Sequence, residues 1–359
     1  MTPISALVPS QLVYWTDAPL FWWSGPIVVF VIVPLIDWWL GDDGSNPSAA
    51  DFEVLNCVRF YRWCTWLFLP IQFAALLVAC VLWRDGSQLD LADKAGLALS
   101  VGVVAGMGIN VAHELGHRHE GIERWLAKIT LSQSLYGHFY VEHNRGHHVR
   151  VATPDDPASA RMGESLYAFV LRSVTGGFRS ALRLERARLA RRGLRWWSIR
   201  NDLLQSWAMS AVVFAAAAVV FGAGVLPFLL LQAAIGVFLL ESVNYVEHYG
   251  LLRERRPDGR YRRVTPRDSW NSDRIATNIL LFHVQRHSDH HANPGRRYQT
   301  LRTFDESPQL PFGYATMILA AMVPWLWRKV IDPQVASHYD GDLSRANLAP
   351  RLRASTVEP

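Results

Sequence analysis

The chain has 359 residues, 50% of them hydrophobic and 12% aromatic, with 15 Trp and a formal net charge of +5. That is more apolar than a soluble domain of this length usually is, and the basic excess adjoins apolar segments without any nucleic-acid-binding module. Cys57, Cys64 and Cys80 form no CxxC pair, which excludes a fused iron- or zinc-ribbon module.

The hydrophobicity lies in blocks. Residues 1–17 are mildly apolar but too short to cross a bilayer. Residues 18–36, 64–83 and 95–112 carry no charge, and 203–240 is one uncharged run with Gly222, Gly224 and Pro227 in its middle. A helix needs roughly 20 apolar residues to cross, so five spans are predicted: 18–40, 62–83, 93–117, 203–222 and 225–247. Pro26 and Pro34 fall in the first, and Gly102 and Gly106 give the third a GxxxG pattern suited to close helix contact. The segment 122–140 reads as an amphipathic helix along the interface. Residues 172–200 read as a basic surface helix with Trp196 and Trp197 at headgroup depth. Residues 310–327 are apolar but broken by Pro311, Gly313 and Pro324; a docked helix is expected there, with a sixth span as the alternative. No basic region precedes the first apolar block, so no cleavable signal is expected.

Basic residues set the orientation. Of 36 Lys and Arg, 12 lie in 141–201 and 17 in 249–359. The positive-inside rule places both segments in the cytoplasm. The expected architecture is a single all-α integral membrane domain, 1–359, of five to six spans, with a cytoplasmic helical cap made from 118–202 and 248–359.

Three histidine groups stand at the ends of these spans. HELGH at 113–117 supplies His113 and His117, four apart on a helix. Alone it also spells HExxH, the zinc-protease signature with its Glu as general base. EHNRGHHVR supplies His143, His147 and His148, and HSDHH supplies His287, His290 and His291. On a helix, His143 and His147 share one face and His148 sits a step beside them. His248 closes the fifth span in NYVEHYG. Neutral imidazole suits iron, copper, nickel or zinc. A catalytic zinc needs three protein ligands, so nine imidazoles on one membrane face suit two metals. His119 falls off the His113/His117 face, and His338 is isolated in a tail expected to be solvated. Behind the ligands, Glu114, Glu142, Asp156, Glu247, Asp289, Asn144, His138 and His283 are expected to orient rings or tune the metals.

The boxes HELGH, EHNRGHHVRVATPDDPASAR, NYVEHYGLLR and LLFHVQRHSDHHANPGRRYQTLR resemble those of the bacterial alkane 1-monooxygenases, integral-membrane di-iron hydroxylases. The wider superfamily, including membrane fatty-acid desaturases, shares only the His spacing. The resemblance implies two non-haem iron ions held by His113, His117, His143, His147, His148, His248, His287, His290 and His291. It implies terminal hydroxylation of medium- to long-chain n-alkanes with O2 in the bacterial inner membrane, at a site facing the cytoplasm. It also implies rubredoxin as electron donor, itself reduced by an NADH-dependent rubredoxin reductase. The family usually has six spans, and this chain reads as lacking most of the first. Arg296, Arg297 and Arg302 are the expected docking residues for an acidic donor. The competing readings are a membrane fatty-acyl desaturase, a hydroxylase of another hydrophobic substrate, an intramembrane zinc metalloprotease and a non-enzymatic metal transporter.

Overall fold

The computed structural model describes residues 8–86 and 89–357. Among these there is no β-strand, only isolated bridges such as Asn271 with Gln309. Among the described residues five helices are long and apolar enough to cross a membrane: Pro19–Leu40, Arg59–Asp85, Leu91–Gly116, Asp202–Phe221 and Ala223–His248. The protein is all-α and multi-pass. The span bounds lie within a few residues of the predicted ones.

The first span is not a regular α-helix. It opens with a 3-10 turn at Pro19–Trp23 and widens to a π-turn at Val28–Ile32. A proline ring clashes with the carbonyl four residues back in a regular helix, so the wide turn ahead of Pro34 makes room for it. Residues 310–327 do not form a sixth span. They hold the helix Tyr314–Ala321 and the start of Pro324–His338, because Pro324 begins a new helix. The single helix expected over 122–140 is also interrupted. Gly121–Ser132 stops, Leu135 takes a left-handed φ of +54°, and helix resumes at Phe139.

The described residues fall into two compact units, each with its own packing. The first takes the chain up to Ile32, Cys57–Val141 and Ala181–Leu240. Its centre is the third span, which is buried along most of its length. Small residues make that possible. A Cβ on Gly102 would lie 2.5 Å from Ile235 Cγ2, and one on Gly236 would lie 2.9 Å from Ala105 Cβ, so the third and fifth spans touch backbone to backbone. Asp90 and Asp93 form a capping box that starts the third span. Arg62 reaches the fully buried Glu123 at 2.9 Å, and Lys128 pairs with Asp202 at 2.6 Å.

The second unit takes Val33–Asn56, Glu142–Ser180 and the chain from Glu241. Here the end of the first span is tied down by Asp37, which accepts hydrogen bonds from the Thr277 amide and hydroxyl. Arg286 donates to the carbonyls of Asp43, Ser45 and Leu301 and so closes the loop after that span. Gly250, at φ +75°, turns the chain just after His248, and Trp327 packs on Tyr245 and Tyr249 with ring centroids 5.1 and 5.3 Å away.

Candidate metal centre

Seven of the nine predicted ligands lie in the second unit, and there they fall into two sets. His147, His248, His287 and His291 form one, all buried. Their Nε2 atoms form a chain, 3.2 Å from His147 to His291, 2.9 Å from His291 to His287 and 3.2 Å from His287 to His248. His143, His148 and His290 form the other, with His148 Nε2 at 2.9 Å from His143 Nε2 and 3.1 Å from His290 Nε2.

Both boxes are therefore divided between the sets, and the reason is local backbone. The chain from Phe139 to Arg150 is helical but makes a π-turn over His143–His147, in which the His148 amide donates to the His143 carbonyl five residues back. The turn puts residues five apart on one face. His143 therefore aligns with His148, and His147 points to the other set. This corrects the expectation that His143 and His147 share a face. Gly146 leaves room for the Glu142–Arg150 ion pair beside the turn: a Cβ there would lie 2.6 Å from Glu142 Oε1 and from Arg150 Nη2. In the His287–Ala292 helix the ordinary four-residue spacing holds, so His287 and His291 share a set and His290 joins the other. Asn271 fixes that helix, accepting from the Ser288 amide at 2.9 Å and donating to its hydroxyl at 2.7 Å.

The donor set fits metal ions. An imidazole nitrogen offers one proton or one lone pair, so four nitrogens can make two hydrogen bonds with one another, yet this set shows three contacts. A shared cation satisfies all four. Metal–imidazole bonds of about 2.1 Å would bring ligand nitrogens to within about 4.2 Å of one another at most, and the observed contacts of 2.9 to 3.2 Å fall inside that limit. Burial and the neighbouring imidazoles hold the His291 pKa well below its usual value, leaving it neutral as a ligand must be.

The carboxylates behave individually. Asp156 Oδ2 lies 2.9 Å from His147 Nδ1 and accepts from the Ser159 hydroxyl at 2.6 Å. Burial opposes its ionisation, but these two partners outweigh it and hold the carboxyl at about 2. Its carboxylate is placed to accept a proton from His147 Nδ1, which turns Nε2 toward the other rings of the set. Glu247 differs from expectation. Its Oε2 stands 3.2 Å from His287 Nε2, on the side where the ligand nitrogens meet and not behind the ring. Glu142 pairs with Arg150 at 2.6 Å, and burial pushes its carboxyl up to about 7. Glu114 pairs with Arg118 at 2.7 Å, both buried, which takes from HExxH the carboxylate a zinc protease would use as base.

Asp289 holds the following loop instead of a ring: it pairs with Arg296 at 2.6 Å and accepts from the Asn293 side chain and the Arg302 amide. Asn144 sits inside the π-turn, in neither set. His138 packs on Tyr136 at 4.5 Å and His283 lies 6.1 Å from Tyr298; neither joins a set, and burial lowers both to about 4. His113 and His117 belong to the first unit, at the end of the third span, with ring centroids 5.2 Å apart and edge-on. His338, expected in solvent, is half-buried with its ring 6.3 Å from Trp270.

The fatty acid desaturase family matches residues 94–321. An alkane 1-monooxygenase of Acinetobacter baylyi is 45% identical over 338 residues, 94% of this chain and 83% of its own length. One of Pseudomonas putida is 44% identical over 357 residues, 99% of this chain and 88% of its own length. The chain belongs to the alkane 1-monooxygenase family. A xylene/toluene monooxygenase hydroxylase component of Pseudomonas putida is a more distant relative, 26% identical over 292 residues, 78% of this chain and 76% of its own length. Membership in the alkane 1-monooxygenase family makes the chain a membrane-bound oxidoreductase that depends on an electron-transfer partner, and the two histidine sets are its candidate metal centre.

Proposed function

We propose that the chain converts medium- to long-chain n-alkanes to primary alcohols with O2, at two non-haem iron ions, using electrons from rubredoxin. The reading rests on one observation above others: two separate sets of converging imidazole nitrogens in a chain 44–45% identical to alkane 1-monooxygenases.

In this reading His147, His248, His287 and His291 hold one iron. His143, His148 and His290 belong to the other, and the family resemblance adds His113 and His117 to the ligands. Bound there, the irons supply O2 activation and insertion of one oxygen atom into a C–H bond. The residues do the rest. Asp156 keeps His147 in the tautomer that offers Nε2. Glu247 places a carboxylate among the ligand nitrogens, where it can take up or release a proton.

An alkane has no polar handle, so recognition depends on shape and burial. Entry from the bilayer between the apolar spans suits such a substrate, and Trp22, buried in the first span, is a candidate wall residue. The 29 basic residues on 141–201 and 249–359 support a site on the cytoplasmic side of the bacterial inner membrane. Rubredoxin would be recharged by an NADH-dependent reductase.

The test is product analysis. The purified protein in lipid, loaded with iron and supplied with rubredoxin, its reductase and NADH, should turn octane into 1-octanol as O2 is consumed. Alkene as product would favour desaturation, and a benzylic alcohol from toluene with no octane turnover would favour an aromatic substrate. A metal-dependent peptidase activity with no O2 uptake would sink the hydroxylase reading.

A further inference from the structure

After His248 the chain runs into a hairpin turned at Gly259 and bridged between Arg255 and Tyr261. It carries seven arginines between Arg253 and Arg267. This hairpin, with His338, Tyr339 and Arg345, lines a cavity of about 520 Å³ in the second unit. Five arginines face two carboxylates there. Both carboxylates are taken: Asp268 by Arg262 at 2.7 Å and Glu254 by Arg345 at 3.0 Å. Among the described residues no carboxylate pairs with Arg253, Arg255 or Arg267. Arg253 is 6% exposed, and its Nε is buried without a hydrogen-bond partner. Arg253 donates through its Nη atoms to the Arg262 and Val149 carbonyls, while Arg255 and Arg267 stand exposed at the cavity with no carboxylate partner among the described residues, so the cavity keeps an excess of positive charge that suits an anion. Seven of the eleven lining residues are charged, which does not suit an alkane.

The cavity is bonded to both histidine sets. Arg253 donates through Nη2 to the Val149 carbonyl at 2.8 Å and through its amide to the Ala152 carbonyl at 2.7 Å, just beyond His148. His338 lies against Trp270. Trp270 in turn donates its amide to the Glu247 carbonyl and its indole N–H to the Tyr249 carbonyl, each at 2.9 Å, so it grips the chain on both sides of His248. From the cavity, Arg253 alone reaches the residue after His148, and His338 and Trp270 in turn reach the residues on either side of His248.

We propose that this arginine cavity is the docking site of the acidic electron-carrier protein, receiving a surface carboxylate of the carrier. Charge complementarity selects that occupant, and the proposal rests on the hydroxylase reading only in requiring such a carrier. It differs from docking at Arg296, which is occupied by Asp289.

The experiment measures binding, not turnover. Full-length protein in nanodiscs is titrated calorimetrically with rubredoxin and, in parallel, with an acidic [2Fe–2S] ferredoxin, at low and high salt. The exposed pair is reversed as Arg255→Glu/Arg267→Glu, with Arg297→Glu as the competing location. The expected result is binding about tenfold weaker in the double variant, with a flattened salt dependence, and unchanged in Arg297→Glu. Unchanged iron content in the double variant shows that the fold is kept. Affinity unaffected by the double reversal, loss confined to Arg297→Glu, or no binding of either carrier to the parent protein overturns the proposal. Arginine-dependent binding of ferredoxin alone keeps the cavity and overturns rubredoxin as donor.

Discussion

Asp156 Oδ2 and His147 Nδ1 are 2.9 Å apart, and both residues are buried. The pair fixes which nitrogen of His147 faces the other three rings of its set. Asp156→Asn keeps the shape and removes the charge that favours the Nδ1 proton. Metal affinity of one set is expected to fall about 10- to 100-fold, read as metal retained after dialysis against graded chelator. Unchanged retention would mean that the carboxylate does not tune the ligand.

The π-turn at His143–His147 carries a glycine where the Glu142–Arg150 ion pair crosses it. Gly146→Ala brings a methyl to 2.6 Å from Glu142 and Arg150, so it must part that ion pair or pull the turn back to α geometry. Overpacking of this kind costs about 1–3 kcal/mol. A melting temperature several degrees lower and reduced metal content are expected together. A variant with normal metal content and melting point would show that the turn tolerates a Cβ.

Packing of the third and fifth spans makes a separate demand. Gly102→Val drives a branched side chain into Ile235, whose Cγ2 would be 2.5 Å from the new Cβ. Lower thermal stability in detergent is expected. Gly224→Ala serves as control, because nothing lies within 4 Å of a Cβ there. Equal stability of the two variants would contradict the contact.

His283 links stability to pH. Burial, reinforced by Arg286, lowers its pKa to about 4, against about 6.5 when unfolded. The folded state therefore binds fewer protons, so its contribution is complete above about 6.5 and is lost as pH falls toward 4. His283→Asn should flatten the fall in melting temperature over that window. Asn is suited to the position because the backbone there is left-handed, φ +54°. The same fall in both proteins would place the acid sensitivity elsewhere.

The spans were legible because long apolar runs are a local signal, and so was the gathering of histidines at their ends, because His spacing is local too. Partition between the sets was not. An i, i+4 reading of His143 and His147 presumes 3.6 residues per turn, and the π-turn at His143–His147 sets His148, not His147, beside His143. The helix expected through Tyr140 failed for a like reason: Leu135 adopts a left-handed φ that a Leu does not advertise. Arg296 reads as a free charge in sequence, but its partner Asp289 lies seven residues back across a helix end. The basic excess of 249–359 was visible as composition. What composition could not convey is that Arg253 turns inward, toward carbonyls 101 and 104 residues earlier in the chain, Ala152 and Val149.

Iron stoichiometry tests the central claim most directly. The purified protein, reconstituted with ferrous iron under argon and freed of excess metal, should hold two irons per chain, and His248→Ala should hold one. A single metal ion in the parent protein, or both lost together on removing His248, would contradict two separate histidine sets.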